Sequence, residues 1–297
     1  MSVQSTKLDN LSQSVIDLEA HTNAPKIGQI LLDSGKVVSG DEQRILNVQE
    51  RMGLRYGEAA VELKLVKPVD VDEALAKQFS YAYLRKDDGS LSKELVAAYE
   101  PFSAAVESLR AVRSRLMLQW SGSERRVISI VSPGNREGRS LLAANLALVF
   151  SQLGERTLLI DADLRRSQQH TLFNVPNDRG LGSALAGIDQ RVQIKGIPLF
   201  DNMYVLASGP AVPNPQELLS RQTFVVLLEK VIQNFDVVII DTPAGQLNAD
   251  AEIVAARARE ALVVARKEHT NLPGLTKFCN RLSGAGVKVV GSVLNDY

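Results

Sequence analysis

Val127-Ile-Ser-Ile-Val131, then Ser132-Pro133-Gly134-Asn135-Arg136-Glu137-Gly138-Arg139-Ser140, then Leu141-Leu-Ala-Ala-Asn-Leu-Ala-Leu-Val-Phe150: the reading of this run decides the fold. A β-rich apolar stretch passes through a glycine-bearing loop directly into a helical pattern. That order aims backbone N–H groups and the positive end of a helix at one spot, the geometry that holds phosphates. The common phosphate loop ends in Gly-Lys-Ser/Thr, whereas this one ends in Gly138-Arg139-Ser140. Arginine keeps the charge and can fork onto phosphate oxygens, but it is not the compact point charge of lysine. Taken alone, the loop reads equally well as an ordinary strand-to-helix turn.

Two segments further along shift that balance. Leu158-Leu-Ile160 runs into Asp161-Ala-Asp163-Leu-Arg165, and Val237-Val-Ile-Ile240 runs into Asp241-Thr-Pro243. Each places carboxylates at the carboxyl end of an apolar strand, where open α/β sheets bind ligands and where acids can hold the shell of a Mg2+ ion. Each acid taken singly could be a helix cap; three in this chain order argue for a nucleotide site. Further short apolar runs at Tyr204–Ala207, Leu262–Ala265 and Val287–Leu294 alternate with helical stretches. Strands of that kind are covered on both faces, so the expectation is an α/β domain with a mostly parallel sheet and helices on both sides.

Composition narrows the function classes. The 297 residues carry 34 basic and 34 acidic side chains, so no charge excess points to nucleic acid. The single cysteine, Cys279, excludes an internal disulfide framework and a cysteine-built zinc site. The three histidines, His21, His170 and His269, are scattered and are assigned no metal. The start MSVQSTKLDN is not a secretory signal, and the longest apolar run, Leu141–Phe150, is broken by Asn145 and falls short of the ~20 residues that span a bilayer. A cytoplasmic protein, linked to a membrane only through a partner, is expected. The loop also lacks the Gly-x-Gly-x-x-Gly of dinucleotide oxidoreductases.

Residues 1–24 read as a mobile tail. Residues 25–80 form a small, mostly helical domain with an internal repeat: Lys26–Gln49 overlies Arg55–Gln78 at an offset of 29. Lys26 meets Arg55, Gly28 meets Gly57, Val37 meets Val66, Leu46 meets Leu75 and Gln49 meets Gln78. Glycine at a fixed place after a basic residue indicates close backbone approach or a tight helix start. Residues 81–100, with the turn signal Asp87-Asp88-Gly89-Ser90, read as a linker to a domain over 101–297. At its start Glu107, Arg110 and Arg113 lie along one side of a helix, which in plain terms is a solvated charged face.

Together these residues resemble the MinD/ParA-like P-loop group, and within it the bacterial tyrosine kinases of capsule and exopolysaccharide export, most closely the EpsG-like chain-length-determinant branch. The motifs that carry the likeness are Glu107/Arg110/Arg113, Ser132–Ser140, Leu159–Arg165, Gly180–Gly187, Pro213–Ser220 and Ile240–Pro243. The resemblance implies ATP and Mg2+ as cofactors. The loop Ser132, Gly134, Asn135, Arg136, Glu137, Gly138, Arg139, Ser140 and Leu141 would bind the nucleotide. Arg139 would stand for the catalytic lysine, Asp161 would be the base toward a tyrosine hydroxyl, and Ser140, Asp161, Asp163 and Asp241 would serve the metal. Arg165 would support the motif or the developing charge. Glu107, Arg110 and Arg113 would join subunits of a homo-oligomer, Tyr297 would be the phosphorylated residue, and a membrane-bound chain-length-determinant protein would be the partner at the inner membrane. A non-kinase regulatory ATPase or nucleotide-gated scaffold is the alternative. Arg266 and Asn295, at strand ends, are candidates for the base of the nucleotide.

The repeat resembles the N-terminal, MshEN-type domain of type II secretion ATPases, whose paired 24-residue motifs bind cyclic di-GMP. That likeness implies a cyclic di-GMP site at Lys26, Gly28, Gln49, Arg55, Gly57 and Gln78. Lys26 in place of arginine and Lys64 in place of glycine depart from the pattern.

Overall fold

The computed structural model describes residues 25–78, 81–123, 125–188, 192–246 and 248–296. The expected tail 1–24 and the expected phosphosite Tyr297 lie outside them. The chain divides into two units between Tyr81 and Ala82.

Among its described residues the first unit holds four helices, α1 (Ile27–Asp33), α2 (Glu42–Met52), α3 (Tyr56–Glu62) and α4 (Pro68–Gln78). α1 and α3 start and stop at the repeat offset of 29, and each ends in a turn carrying a buried valine, Val37 and Val66. Leu31, Ile45, Ala59, Ala60 and Ala74 fill the core between the helices. The close approach expected at the repeat's glycines is made by the unit's own side chains. A Cβ on Gly57 would lie 2.5 Å from Cγ1 of Val71, and one on Gly28 would lie 3.2 Å from the Tyr56 ring.

The second unit begins with α5 (Val96–Tyr99) and α6 (Ala104–Gln119), then runs β1 (Val127–Val131), α7 (Arg139–Ser151), β2 (Thr157–Asp161), α8 (Gln169–Leu172), α9 (Leu181–Ala186), β3 (Lys195–Ile197) and β4 (Phe200–Leu206). It continues with α10 (Pro215–Ser220), α11 (Gln222–Ile232), β5 (Val237–Asp241), α12 (Asp250–Ala258), β6 (Glu260–Arg266), α13 (Leu272–Gly284) and β7 (Lys288–Asn295). The seven strands lie in the order β3-β4-β2-β5-β1-β6-β7. All pairings are parallel except β3 with β4. The six strands read from apolar runs are present; the antiparallel edge strand β3 is additional.

Burial explains the pattern. β1, β2 and β5 are buried at every position because helices cover both faces. α7 is the central helix, buried from Leu142 to Ser151. Each fully buried large side chain here, such as Phe150 or Leu146, contributes roughly 1.5–3 kcal/mol by leaving water. Residues 82–100 are not a free linker. Leu84, Leu91, Leu95, Ala97, Ala98 and Tyr99 are buried in the same core as α7. Asn145 of α7 accepts from the Ala97 amide at 2.9 Å and donates to the Glu94 carbonyl at 3.2 Å. The chain turns at Arg85–Asp88, where the Asp88 amide donates to the Arg85 carbonyl at 3.0 Å, and the Asp88 carboxylate accepts from the Ser90 amide at 2.7 Å, but apolar anchors on either side bind the segment down.

The Gly180–Gly187 motif is a packing device. A Cβ at Gly180 would stand 2.2 Å from the Gly209 amide nitrogen, and the amides of Leu181 and Gly182 donate to the carbonyls of Ala207 and Ser208 at 2.8 Å each. Trp120 is also a packing residue: it is buried, its ring centroid lies 5.9 Å from that of Phe150, and its indole N–H donates to Glu260 at 2.7 Å.

Candidate functional site

β2, β5 and β1 are adjacent and parallel, so everything that follows them leaves the sheet at one edge. Asp161 is the register partner of Asp241, and Asp241 is that of Ile130, one residue before the end of β1. With strands about 4.8 Å apart, the acids of two strands and the loop after a third are brought together. This is the crevice where the strand order reverses, the usual ligand site of an open parallel sheet.

The loop after β1 is shaped by two left-handed residues, Arg136 (φ 56°) and Gly138 (φ 92°). Glu137 turns inward and is buried. Its carboxylate accepts from the Gly134 amide at 2.7 Å and from the Thr270 hydroxyl at 2.6 Å. A side chain at position 134 would collide with it, since an added Cβ lies 2.9 Å from Oε1. The strand ends to one side hold the loop from outside. Asn295 donates to the Glu137 carbonyl at 2.7 Å, Arg266 to the Arg136 carbonyl at 3.2 Å, and His269 Nε2 lies 3.2 Å from the Asn135 carbonyl. Arg266 and Asn295 therefore do reach the loop, through its carbonyls.

Arg139, which stands where lysine is usual, is buried. Its guanidinium donates to the Thr242 carbonyl at 2.9 Å and also to Ser132 Oγ and the Gly134 carbonyl. Burial pulls its pKa down, opposed by the charges of Asp241, Asp163 and Glu137. In this conformation the charge is directed at oxygens of the loop and at the carbonyl of Thr242 just after β5.

The acids differ in their surroundings. Asp161 is fully buried and accepts from three backbone amides, those of Asp163 at 3.2 Å and of Gln168 and Gln169 at 3.1 Å each. Burial and the neighbouring Asp241 charge push its carboxyl well above the ordinary range, against the pull of the Gln168 and Gln169 amides. Asp163 accepts from the amides of Arg165 and Arg166, closing the turn. Asp241 is also fully buried, and burial raises its carboxyl to about 6 despite the Gln169 amide, the Ser140 hydroxyl and the Arg139 charge. Its Oδ2 accepts from Gln169 at 2.8 Å, while Oδ1 is buried without a hydrogen-bond partner. A bare acceptor beside a hydroxyl suits a cation with its waters, so Asp241 and Ser140 fit Mg2+. Among the described residues no three His, Cys, Asp or Glu side chains form a ready metal cage. The expected set of Ser140, Asp161, Asp163 and Asp241 is therefore not assembled as such, which accords with Mg2+ taking one or two carboxylates plus phosphate oxygens.

Arg165 does not face the crevice alone. It donates to Asp250, the first residue of α12, at 2.7 Å through Nε and 3.4 Å through Nη2, and this bond raises its pKa. On α6, Arg110 pairs with Glu107, whereas Arg113 reaches inward to the Val149 carbonyl near the end of α7 at 2.6 Å. The charged face is thus only partly solvated.

Known proteins are similar to this chain in sequence and in fold. A family model described as an AAA domain matches residues 125–288, more than half of the chain. Tyrosine-protein kinase YwqD of Bacillus subtilis is 36% identical over 216 residues, covering 71% of this chain and 90% of YwqD. The chain belongs to the bacterial tyrosine-protein kinase family. The kinase domain of Escherichia coli tyrosine kinase ETK superposes with a TM-score of 0.67 at 33% identity, covering 72% of this chain and 83% of that domain. The chimerical protein CapA2B2 gives 0.64 at 33% identity over 75% and 97% of the two chains. Against full-length tyrosine-protein kinase etk of Escherichia coli K12, the match spans 67% of this chain but 28% of that protein. No helix among the described residues is long and apolar enough to cross a membrane.

Residue Gln169 of this family member escaped the sequence reading. It is fully buried at the start of α8 and touches both Asp241 and the Ser140 carbonyl. No local motif marks it, because its partners lie 72 and 29 positions away in the chain. Asp250, the anchor of Arg165, was missed for the same reason.

Proposed function

We propose that the chain is an ATP-dependent protein-tyrosine autokinase of an exopolysaccharide assembly system, working in the cytoplasm beside a membrane-bound chain-length-determinant protein. The observation that carries the reading is the pairing of Asp161 with Asp241 at the edge where the loop Ser132–Ser140 leaves β1. Loop and α7 amides would wrap the phosphates, and Ser140 with Asp241 would hold the magnesium ion. When bound, that ion neutralises phosphate charge and orients the terminal phosphoryl group. Asp161 orients the incoming tyrosine hydroxyl, and Asp163 and Arg165 keep its turn in place. Catalysis of this kind is positioning and electrostatics, so loss of one aspartate is severe. A groove of about 510 Å3 beside the loop, lined in part by Gly138, Leu141, Asn295 and Asp296, takes the base. Glu107 and Arg110 serve contacts between copies, and Tyr297 is the acceptor.

One observation favours a second reading, a regulatory ATPase or nucleotide-gated scaffold: the Arg139 guanidinium is satisfied by Thr242, Ser132 and Gly134 instead of being poised for a phosphate. Phosphotyrosine blotting of wild type, Asp161→Ala and Arg139→Lys after incubation with ATP and Mg2+ separates the two. Tyrosine labelling lost in Asp161→Ala supports the kinase; hydrolysis without labelling, with the partner's cytoplasmic segment present, supports the scaffold. Mass spectrometry locates the phosphate, and its absence from Tyr297 removes that residue as acceptor.

For the first unit we propose cyclic di-GMP sensing. Lys26 and Gly28 line an open groove of about 570 Å3 with Tyr56, and Arg55 is exposed at the start of α3. A basic side chain there can stack on a guanine face. Calorimetric heat with cyclic di-GMP that disappears in Arg55→Ala supports sensing, and no heat from the wild type refutes it.

A further inference from the structure

Gln169 binds together three parts of the crevice that sequence separates. Its backbone amide donates to Asp161 Oδ2 at 3.1 Å, and its side-chain Nε2 donates both to Asp241 Oδ2 at 2.8 Å and to the Ser140 carbonyl at 3.0 Å. The side chain is fully buried, and both hydrogens of its amide are thereby used. That fixes the orientation of the carboxamide and leaves Oε1 as an acceptor. Oε1 is buried without a hydrogen-bond partner, as is Oδ1 of Asp241, the carboxylate that the same amide holds. Leaving a buried acceptor unpaired is costly, because it has given up its water and gained nothing in return. Two such oxygens on mutually bonded side chains call for a group that donates to both. A hydrated divalent cation does so, through its charge and through the hydrogens of its waters.

We propose that Gln169 is a positioning residue for the metal: it holds the Asp241 carboxylate and the Ser140 turn in mutual register, and its Oε1 accepts from a water of the cation's shell. The inference rests on the magnesium-nucleotide reading of the crevice. Partners that orient a ligating carboxylate typically change metal affinity by about 10–100-fold when removed.

The test is Mn2+ binding to the ADP complex of the full chain, followed by electron paramagnetic resonance, with metal-free ADP binding measured alongside. Gln169→Met keeps the length and removes both amide functions. The expected result is a loss of about 10–100-fold in Mn2+ affinity with metal-free ADP affinity unchanged. Phosphorylation should recover at high Mg2+, the signature of a metal KM effect and not of a lowered kcat. Equal Mn2+ affinity in Gln169→Met and wild type overturns the proposal while leaving the nucleotide site standing. A fall in metal-free ADP affinity as large as the metal effect overturns it too, by reducing Gln169 to a packing residue. A wild type that binds ADP but no Mn2+ overturns the magnesium reading and this inference together. If melting shows that the methionine variant is unfolded, Gln169→Asn carries the same comparison, with its amide one methylene short of Asp241.

Discussion

Replacing Asp241 by asparagine should make the metal-free protein more stable while destroying its metal site. The carboxyl is fully buried between β1 and β2 and is held at about 6, against an ordinary value of 3.8. A rise of about two pKa units corresponds to about 3 kcal/mol of strain in the charged form, at about 1.4 kcal/mol per unit. The folded state binds a proton here that the unfolded chain releases, so this strain is absent below the unfolded pKa. It grows as pH climbs from about 4 to about 6 and is constant above that. Asparagine keeps an oxygen for the Gln169 amide and carries no charge. Thermal melts without metal at pH 5 and pH 8 give the test. At pH 8 Asp241→Asn should melt several degrees higher than wild type, for a unit of this size at about 2–4 °C per kcal/mol, and the gap should shrink at pH 5. Added Mg2+ and ADP should raise the wild type above the variant. An Asp241→Asn protein that melts below wild type at pH 8 by the same margin as at pH 5 would refute the reasoning, because the carboxylate would then be stabilising as a charge.

Three further outcomes follow from the contacts. Gly180→Ala should cost about 2 kcal/mol or more in thermal unfolding, since its methyl would meet the Gly209 backbone at 2.2 Å, with nothing flexible to give way. Arg165→Ala should cost about 1–3 kcal/mol, at the lower end because the arginine is half-exposed while its partner Asp250 is buried; a neutral result in denaturant titration would show that Asp250 finds another donor. Arg113→Ala should lower the stability of the isolated subunit by about 1–2 kcal/mol, through loss of a charged donor at the carbonyl end of α7. If sedimentation shows altered assembly with unchanged subunit melting, Arg113 acts between copies instead.

The parallel sheet could be read from the sequence pattern because strands buried on both faces leave nearly continuous apolar runs, and β1, β2 and β5, buried at every position, are broken only by Ser129 and by the polar residues at their ends. The loop and its acids could be read because chain order fixes which sheet edge they share. β3 left no such trace: three residues at an edge, Lys195-Gly-Ile197, have too little burial to impose a pattern. The segment 82–100 shows the opposite limit. Its turn residues are conspicuous, while the anchors Leu84, Leu91 and Leu95 lie outside any helix or strand, so no element's period marks them as buried. Arg139 shows a different limit. Its place in the motif was visible, but its bond to Thr242, 103 positions away, is a property of the folded crevice.

The Asn295 side chain, at the last residue of β7, grips the carbonyl of Glu137 within the phosphate loop. Arg266, at the last residue of β6, reaches the neighbouring Arg136 carbonyl in the same way. The two outer strands on this side are thus tied by side chains to the turn after β1, so a displacement of that flank of the sheet is passed directly to the backbone of the loop.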